Sequence, residues 1–484
     1  MIRKCDVLII GAGILGCFAA RALSRYNLDI TVIEKREDVC TGITRANTGI
    51  IYQGYDQHPG SLKARLTRQA SLSFPSLCAE LDVRYRKTGL LMLSFGPNAD
   101  RVLKKKIKNG RQSGIDDLKI LDAGKVYELE PAVCNGVTSA LYSENTYTVD
   151  PWELGIAAFE NASSNGVQFY FNEEALNISR SDSGFVVEST DTTYLAGRVL
   201  CCAGFSADRL WEMISRPAVR LVPLAADYLV FDKAVGGTIS HVISVEPESK
   251  GEGLTLVPTC GGNILAGPTR RQISGVPDGS TDAGGIQELK EKCLMLIPSL
   301  PVDKIIRNFG TTRPNPYCIN DDGSVSDKSL NDFVILEDNG FFDLIGIKTP
   351  GITCANELGT HISSLIVSSF EKKPGPNPHY SPIRKGIPKI ADLIEKDSPL
   401  LASLSEDCFE IICRCEHISR GEVLEAIRRG ATTLDGVKRR TGSGMGRCQG
   451  GYCAEKIMHI LSTCLGKNMY DINKDGPGSE MILR

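Results

Sequence analysis

Four cysteines near the carboxyl end of the chain are spaced as ligands of a metal centre. One residue separates Cys413 from Cys415, and 32 residues later come Cys448 and Cys453, with four residues between them. Zinc sites built from four thiolates usually pair cysteines with about two to four residues between them. The single-residue gap is tight for a zinc chelate, so the set favours an iron-sulfur cluster, and zinc is the alternative that the spacing leaves open.

Three glycines near the amino end have the spacing of a dinucleotide-binding turn. Gly11, Gly13 and Gly16 follow an apolar run at residues 5–10 and open a segment of helical character, and a second apolar run ends at Glu34. Glycines at these positions allow a tight turn and let the amino end of a helix approach a pyrophosphate. Glu34 can accept hydrogen bonds from an adenosine ribose, so the pattern predicts a β-α-β unit that binds a dinucleotide.

The two motifs lie at opposite ends of one polypeptide. A dinucleotide cofactor handles two electrons, whereas an iron-sulfur cluster carries one electron at a time. Their combination predicts an electron path from an organic cofactor to an inorganic carrier.

Composition limits the class of protein. The 484 residues suggest two to four domains, and the 48 glycines with few aromatic residues favour an α/β enzyme. The 55 basic and 58 acidic residues give a net charge of −3, so we expect no nucleic acid and instead small-molecule or protein partners. Seventeen cysteines, an odd number without framework spacing outside the terminal four, predict reduced thiols in the cytoplasm.

The order of apolar runs and helical patterns predicts a dinucleotide domain whose parts are separated in the sequence. Helical patterns occupy residues 61–81, 151–166 and 356–370, and strands and turns dominate residues 219–316. A proline-rich stretch after residue 371 predicts a linker to a small terminal module. The predicted division is 1–90, 149–218 and 331–372 for the dinucleotide domain, 91–148 and 219–330 for a substrate domain, 373–400 for the linker, and 401–484 for the cluster module and tail.

Several segments resemble the D-amino acid oxidase-like superfamily of FAD-dependent oxidoreductases, and nearly the whole chain takes part. The similar segments are residues 44–51, 54–56, 59–64, 149–151, 202–208, 310–314 and 350–353. Within the superfamily the chain is most similar to the branch of the anaerobic glycerol-3-phosphate dehydrogenase catalytic subunit and L-2-hydroxyglutarate dehydrogenase. The resemblance implies an α/β fold, with an FAD-binding Rossmann-like domain, an antiparallel-sheet substrate domain and a small carboxyl-terminal iron-sulfur module.

The same resemblance implies which residues bind FAD. The candidates are Gly11, Gly13, Gly16, Glu34, Thr44, Arg45, Asn47, Thr48, Leu176, Ala203, Gly204, Gly351, Ile352 and Thr353. The last three precede a predicted helix, so their backbone N-H groups and the helix dipole can stabilise negative charge on reduced flavin. An ordinary helix start is the alternative for this segment.

Four side chains are candidates for substrate binding and catalysis. Arg313 is expected to anchor the substrate, because a guanidinium binds a carboxylate or phosphate with two hydrogen bonds. Lys348 can add positive charge near Gly351, and a solvated lysine is the alternative. Tyr52 stands where many relatives have a histidine, so a covalent flavin link and a histidine base at that point are in doubt. Tyr52 is either a positioning hydroxyl or a packed aromatic ring, and His241 is the histidine to test as the base.

The carboxyl-terminal segment resembles the module of bacterioferritin-associated ferredoxins. The match continues beyond the four cysteines through residues 433–438, 440–442 and 446–450. Basic residues near the ligands are expected to offset the negative charge of the cluster; they are Arg414, Lys438, Arg439, Arg440 and Arg447.

Together these observations predict an FAD-dependent dehydrogenase that removes hydride from a small anionic substrate, sn-glycerol 3-phosphate, and passes electrons out through the 2Fe-2S cluster. A built-in exit for electrons predicts an acceptor protein subunit in a hetero-oligomer, with the enzyme peripheral at the inner face of the cell membrane through this partner. The alternatives are an L-2-hydroxy acid dehydrogenase, an amino- or imino-acid dehydrogenase, and a non-catalytic electron-transfer subunit.

Overall fold

The computed structural model describes residues 1–245, 253–273 and 279–482. Within these ranges the strands are β1 Ile2–Ile10, β2 Ile30–Glu34, β3 Ile50–Ile51, β4 Tyr85–Lys87, β5 Leu90–Ser94, β6 Lys119–Asp122, β7 Ser139–Ser143, β8 Tyr147–Val149, β9 Gln168–Phe171, β10 Ala175–Ser181, β11 Gly184–Ser189, β12 Thr193–Cys201, β13 Val219–Phe231, β14 Val242–Val245, β15 Thr255–Pro258, β16 Ile264–Gly267, β17 Arg271–Gln272, β18 Ile305–Ile319, β19 Val325–Ser329, β20 Val334–Asp338, β21 Phe341–Ile345, β22 Ile411–Cys413 and β23 Ile418–Ser419.

The α-helices of the described ranges alternate with the strands in the first half of the chain and gather at its carboxyl end. They are α1 Ile14–Leu23, α2 Leu62–Leu81, α3 Pro97–Gln112, α4 Ala123–Leu129, α5 Pro151–Ser164, α6 Ala207–Glu212, α7 Ala283–Leu296, α8 Ala355–Ser368, α9 Ile390–Glu395, α10 Arg420–Arg428, α11 Leu434–Thr441 and α12 Ala454–Leu465.

An eight-stranded sheet forms the centre of the dinucleotide domain. Its strand order is β10-β11-β12-β1-β2-β9, with β21 and β20 added beside β12, and β1 runs parallel to both β2 and β12. Val7 and Ile9 of β1 pack with α1, α5 and α8 on one face, while Leu8 and Ile10 join a second core on the other face. Parallel strands that are buried on both faces consist of continuous apolar runs in the sequence. The apolar runs therefore predicted β1 and β2 correctly.

A ten-stranded sheet builds the second domain. Its order is β19-β18-β13-β16-β15-β14-β5-β7-β6, with β17 beside β13. The prediction of an antiparallel sheet is confirmed for the pairs of this sheet except β5 with β14, which are parallel. These two strands come from distant parts of the chain, so no hairpin dictates their direction. The longest pairing, β13 with β18, sets Leu224 opposite Arg313.

The linker after α8 is fixed to the dinucleotide domain. Arg21 of α1 donates a hydrogen bond to the carbonyl of Pro382 at 3.3 Å, and Asn161 of α5 donates to the carbonyl of Ser381 at 3.1 Å. Arg384 forms an ion pair with Glu160 at 2.6 Å. The linker predicted from proline content therefore lies along the surface of α1 and α5.

The terminal module has a core of its own. Helices α10, α11 and α12 pack around buried Val423, Val437 and Leu461, and the ribbon of β22 and β23 covers one side. A capping box begins α10, where Ser419 and Glu422 each bond the other's backbone N-H. Among the described residues no helix has the length and apolar character needed to cross a membrane.

Candidate cofactor and substrate sites

The glycine turn has the close backbone packing that a dinucleotide site requires. Gly11 has a φ of +103°, which favours glycine, and a Cβ at Gly16 would overlap the carbonyl oxygen of Gly11. Helix α1 then begins after Gly13, which provides no side-chain cap for the first N-H groups. At the end of β2, Glu34 accepts a hydrogen bond from the N-H of Ala12 at 2.8 Å. These features fit a nucleotide pyrophosphate at the helix end and a ribose beside Glu34.

Two of the remaining predicted FAD residues contact this turn. The hydroxyl of Thr44 accepts a hydrogen bond from the N-H of Ile14 at 3.2 Å, and Ala203 lies against Gly11. Leu176 is exposed on β10, three residues after Glu173, whose N-H donates to the carbonyl of Glu34 at 2.9 Å. Leu176 is therefore close in sequence to the adenosine end of the site.

Arg45 departs from the predicted set. Its guanidinium forms an ion pair with Asp475 in the carboxyl-terminal tail at 2.9 Å, and its side chain is 41% exposed. Asn47, two residues later, accepts a hydrogen bond from the N-H of Gly49 at 2.9 Å. Thr48 is the residue between Asn47 and Gly49. The side chain of Arg45 is thus directed to the tail, and sequence reasoning missed this because the two residues are 430 positions apart.

The loop before α8 is joined to the segment that carries Tyr52. The hydroxyl of Thr353 donates to the carbonyl of Ile50 at 3.2 Å and accepts from the N-H of Tyr52 at 3.2 Å. Gly351 donates its N-H to the carbonyl of Lys348 at 2.8 Å. The prediction that backbone donors here stabilise the flavin therefore rests on Ile352 and Thr353, because the N-H of Gly351 is used within the loop.

The predicted anion-binding residues Arg313 and Lys348 lie in one polar patch. Arg313, on β18, donates to the hydroxyl of Tyr228 at 3.3 Å, and the Tyr228 ring lies on the adjacent strand β13. Asn315 joins Lys348 to the strand of Arg313, because its amide donates to the main-chain carbonyl of Arg313 at 3.3 Å and accepts from Lys348 Nζ at 3.2 Å. Such a patch is suited to a phosphate or carboxylate.

Lys63 is a third basic residue, near Lys348, and sequence reasoning missed it. It lies in the first turn of α2, is 7% exposed, and donates from Nζ to the carbonyl of Asn331 at 3.0 Å. Burial, together with the nearby Lys348, lowers its pKa from 10.5 to about 8. The sequence carried one signal for Lys63: a lysine in the first turn of a helix interacts unfavourably with the helix dipole, so its position there calls for another role.

The two remaining catalytic candidates have different surroundings. Tyr52 is half-buried and packs against the core that contains Ile50. His241 lies beside β14, and its Nδ1 and backbone N are each 2.7 Å from Oε1 of the buried Glu130. Strands β13, β16 and β15 separate β14 from the strand of Arg313. The structure pairs His241 with Glu130 beside a different strand from that of Arg313, and its role as the base stays a prediction.

The four predicted metal ligands meet in the terminal module as two pairs. Cys415 Sγ and Cys448 Sγ are 3.7 Å apart. A hydrogen bond from Cys453, assisted by the backbone N-H groups of Gly444 and Glu416, lowers the pKa of Cys413 to about 6. Thiolates are the form that binds metal.

The pairing discriminates between zinc and a two-iron cluster. Among the described residues, no three His, Cys, Asp or Glu side chains converge on a point that suits a single ion. Metal-sulfur bonds of about 2.3 Å in a tetrahedral arrangement separate two sulfurs by about 3.8 Å, close to the distance between Cys415 and Cys448. Two thiol pairs therefore fit two iron ions better than one zinc ion.

The cluster module is fastened to both domains. Arg439 and Arg440 of α11 bind Asp38, in the loop that follows Glu34, at 3.1 and 2.7 Å. Two of the five basic residues expected to offset the cluster charge therefore neutralise a carboxylate of the dinucleotide domain. On the other side, Lys233 pairs with Glu416 at 2.6 Å. A cavity of about 400 Å³ lies between this contact and Cys415.

Comparisons with known proteins agree with this geometry. Residues 6–365 match the family described as FAD dependent oxidoreductase, and residues 411–463 match the BFD-like 2Fe-2S binding domain. The chain is 36% identical to the glycerol 3-phosphate dehydrogenase of Caloramator mitchellensis over 482 residues, 99% of this chain and 98% of that protein. It is 29% identical to the mitochondrial L-2-hydroxyglutarate dehydrogenase of Caenorhabditis elegans over 277 residues, 55% of this chain and 63% of that protein.

A solved structure shares the fold of the first two domains. The dithionite-reduced L-alpha-glycerophosphate oxidase of Mycoplasma pneumoniae, with FAD bound, superposes with a TM-score of 0.71 at 25% identity and covers 79% of this chain and 98% of that one. The cofactors are therefore FAD and a 2Fe-2S cluster, as predicted. This chain belongs to the family of FAD dependent oxidoreductases and carries a BFD-like 2Fe-2S binding domain at its carboxyl end.

Proposed function

We propose that this enzyme is a dehydrogenase that oxidises the secondary carbinol of sn-glycerol 3-phosphate. The relative named glycerol 3-phosphate dehydrogenase aligns over 99% of the chain, so the similarity includes the cluster module as well as the FAD domain. The observation that carries the proposal is the patch of Arg313, Lys348 and Lys63, because three basic side chains suit a phosphate dianion.

In this proposal the residues of the patch bind and orient the substrate. Arg313 holds the phosphate with its guanidinium group, which donates a hydrogen bond to the Tyr228 hydroxyl. Asn315 bonds the main-chain carbonyl of Arg313. Lys348 supplies a second positive charge and is itself positioned by Asn315 and Ser329, at 3.2 and 3.4 Å from Nζ. FAD, when bound, supplies the acceptor for the hydride. Tyr52, joined to Thr353 through its backbone, is proposed to position the substrate with its hydroxyl.

The electrons are proposed to leave singly through the 2Fe-2S cluster to an acceptor protein subunit. The enzyme would then work in a hetero-oligomer in the cytoplasm, peripheral at the inner face of the membrane through that partner. The predicted division into an FAD domain in three parts, a substrate domain in two, a linker and a module remains part of the proposal. The fixed contacts of the module with Asp38 and Lys233 support electron transfer within one chain.

A second candidate is oxidation of an L-2-hydroxy acid such as L-2-hydroxyglutarate. The relative of that name aligns over 55% of this chain, and Arg313 can bind a carboxylate as well as a phosphate. This alignment covers only part of the chain, so we favour the phosphate.

Anaerobic titration of the purified, cluster-loaded protein tests the proposal. We expect sn-glycerol 3-phosphate to bleach the flavin and then give a paramagnetic signal from the reduced cluster, while L-2-hydroxyglutarate and L-proline do neither. Bleaching by L-2-hydroxyglutarate instead would identify the substrate as a hydroxy acid, and bleaching by L-proline would identify it as an imino acid. Absence of bleaching by any of the three would contradict all three assignments.

A further inference from the structure

The cluster module has one exposed face at a cluster ligand. On this face the ring of Tyr452 lies between two cations, with the Arg414 guanidinium 4.4 Å and the Lys456 ammonium 4.9 Å from the ring centre. Tyr452 is 39% exposed, and the adjacent ligand Cys448 is also exposed. We name this surface, formed by Arg414, Cys448, Tyr452 and Lys456, the exit face.

The backbone of the exit face contacts the cluster ligand directly. The N-H of Tyr452 donates a hydrogen bond to the sulfur of Cys448. Hydrogen bonds to the sulfurs tune a cluster and connect it to the protein around it. The exit face is therefore in contact with the redox centre.

The two residues that flank Cys448 in the sequence contact the rest of the chain. Arg447 forms an ion pair with Asp232 at 3.1 Å, and Gln449 accepts a hydrogen bond from Arg307 at 3.1 Å. Helix α11 is held by Asp38 through Arg440. A second protein that approaches the exposed ligand Cys448 therefore meets the exit face.

The charges of the exit face indicate the kind of partner. Among the residues that the structure describes, neither Arg414 nor Lys456 has a carboxylate within ion-pair distance, whereas Arg447 and Lys233 beside the same cluster loops are paired. Exposed cations without a carboxylate partner attract an acidic surface and orient it during encounter. The aromatic ring between them adds the apolar contact that interface centres favour.

We propose that the exit face docks an acidic one-electron carrier protein, whose surface carboxylates pair with Arg414 and Lys456. This inference rests on the proposed function, in which electrons leave through the cluster. In each event the reduced cluster loses one electron at Cys448 and returns to its oxidised form, while the redox centre of the carrier gains that electron. No proton transfer or bond cleavage is required.

Two haem proteins of opposite surface charge test the proposal: cytochrome b5, which is acidic, and cytochrome c, which is basic. The full-length protein with both cofactors is reduced with dithionite, freed of excess reductant under nitrogen, and mixed with each cytochrome in a stopped-flow instrument. Reduction by dithionite makes the test independent of the physiological substrate. We expect cytochrome b5 to be reduced faster than cytochrome c at low ionic strength, with a rate that falls steeply as salt is added.

The variant Lys456→Glu and its matched control Lys467→Glu change the net charge equally, so a difference between them reports the effect of the exit face on the reaction rate. Lys456 is in the first turn of α12 and Lys467 is two residues past its end, about 16 Å farther along the helix axis. We expect Lys456→Glu to slow reduction of cytochrome b5 roughly tenfold and to weaken its salt dependence, and Lys467→Glu to change neither. Calorimetry on the oxidised proteins should show the same order of binding affinities.

Two results would overturn the proposal. One is a faster reaction of the unmodified protein with cytochrome c than with cytochrome b5. The other is equal rates, salt dependence and binding for Lys456→Glu and Lys467→Glu. Both variants must keep full cluster absorbance, which shows that any difference arises at the surface.

Discussion

Arg440 and Asp38 form a bidentate ion pair, with Nη1 and Nη2 of the guanidinium 2.7 and 2.8 Å from the two carboxylate oxygens. Asp38 follows Glu34, the residue predicted to bind the ribose, by four residues, and Arg440 belongs to the cluster module. Neither side chain is more than 4% exposed. The pair therefore fixes the cluster module against the loop that follows Glu34.

Replacing Asp38 by Asn should destabilise the protein strongly, because it leaves the buried guanidinium groups of Arg439 and Arg440 without a full counter-charge. Breaking one side of a buried ion pair costs about 3–5 kcal/mol. Urea unfolding of the full chain, followed by circular dichroism, measures this loss.

The matched control is Lys474→Ala, which removes an ion pair with Asp435 at 2.9 Å in the same module. Lys474 is 47% exposed, so we expect a loss below about 1 kcal/mol. Equal losses for the two variants would contradict the assigned importance of Asp38.

Lys63 should make stability rise with pH in alkaline solution. Its pKa in the folded protein is lowered to about 8, whereas the ordinary value in the unfolded chain is 10.5. Below pH 8 the folded and the unfolded chain both carry the proton, and the buried charge destabilises the folded state in full. Between pH 8 and 10.5 only the unfolded chain keeps the proton, so the free energy of unfolding rises with pH. We expect a gain of at most about 3 kcal/mol across this range, absent in Lys63→Met, measured by urea unfolding of the FAD-free protein at several pH values. Equal pH slopes for both proteins would refute this assignment.

Two glycines of the turn should respond differently to alanine. A Cβ at Gly16 would overlap the carbonyl of Gly11, whereas one at Gly13 would meet only the hydroxyl of Thr44 at 3.7 Å, an ordinary contact. We expect Gly16→Ala to lower both stability and FAD content, and Gly13→Ala to keep stability but weaken FAD binding, since the pyrophosphate lies where the glycine turn allows close approach. Thermal unfolding without FAD and fluorescence titration with FAD separate the two effects. A loss of stability in Gly13→Ala equal to that in Gly16→Ala would contradict this picture.

Local patterns predicted the elements that hold the cofactors. Apolar periodicity and ligand spacing are local signals, so the sequence predicted the strands and helix around Gly11, the helix after Ser61 and the four cysteine ligands. The family resemblance then implied FAD and a 2Fe-2S cluster. Arg313 and Lys348 were also predicted, and the structure brings them together through Asn315.

Contacts between distant segments could not be predicted. The pairing of Arg440 with Asp38 spans 402 positions, and that of Arg45 with Asp475 spans 430. Closeness in sequence to the cysteines assigned Arg439 and Arg440 to the cluster, and the family resemblance assigned Arg45 to FAD. The contact of His241 with Glu130, 111 positions away, could not be predicted either, and the role of His241 as the base stays a prediction.

Arg313 and His241 should now differ in their effect on flavin reduction. Arg313→Leu removes the guanidinium from the anion patch, and we expect the substrate concentration for half-maximal bleaching to rise at least about a hundredfold, the loss of roughly 3 kcal/mol for a charge-assisted bond. His241→Asn removes the partner of Glu130 outside that patch, so we expect lower stability and unchanged reduction kinetics. Anaerobic stopped-flow measurement with sn-glycerol 3-phosphate tests both variants. Slow bleaching in a folded, FAD-loaded His241→Asn protein would support His241 as the base.

Cys448→Ser should separate flavin reduction from electron exit. The substitution removes one of the paired thiols that lie 3.7 Å apart, so we expect loss of the cluster's visible absorbance and paramagnetic signal. The FAD site lies in another domain and keeps its residues, so substrate should still bleach the flavin, while transfer to cytochrome b5 stops. Cys464→Ser is the control, because this exposed cysteine lies outside the ligand set and its replacement should change neither cofactor. Retention of the full cluster spectrum in Cys448→Ser would show that another group supplies the fourth ligand.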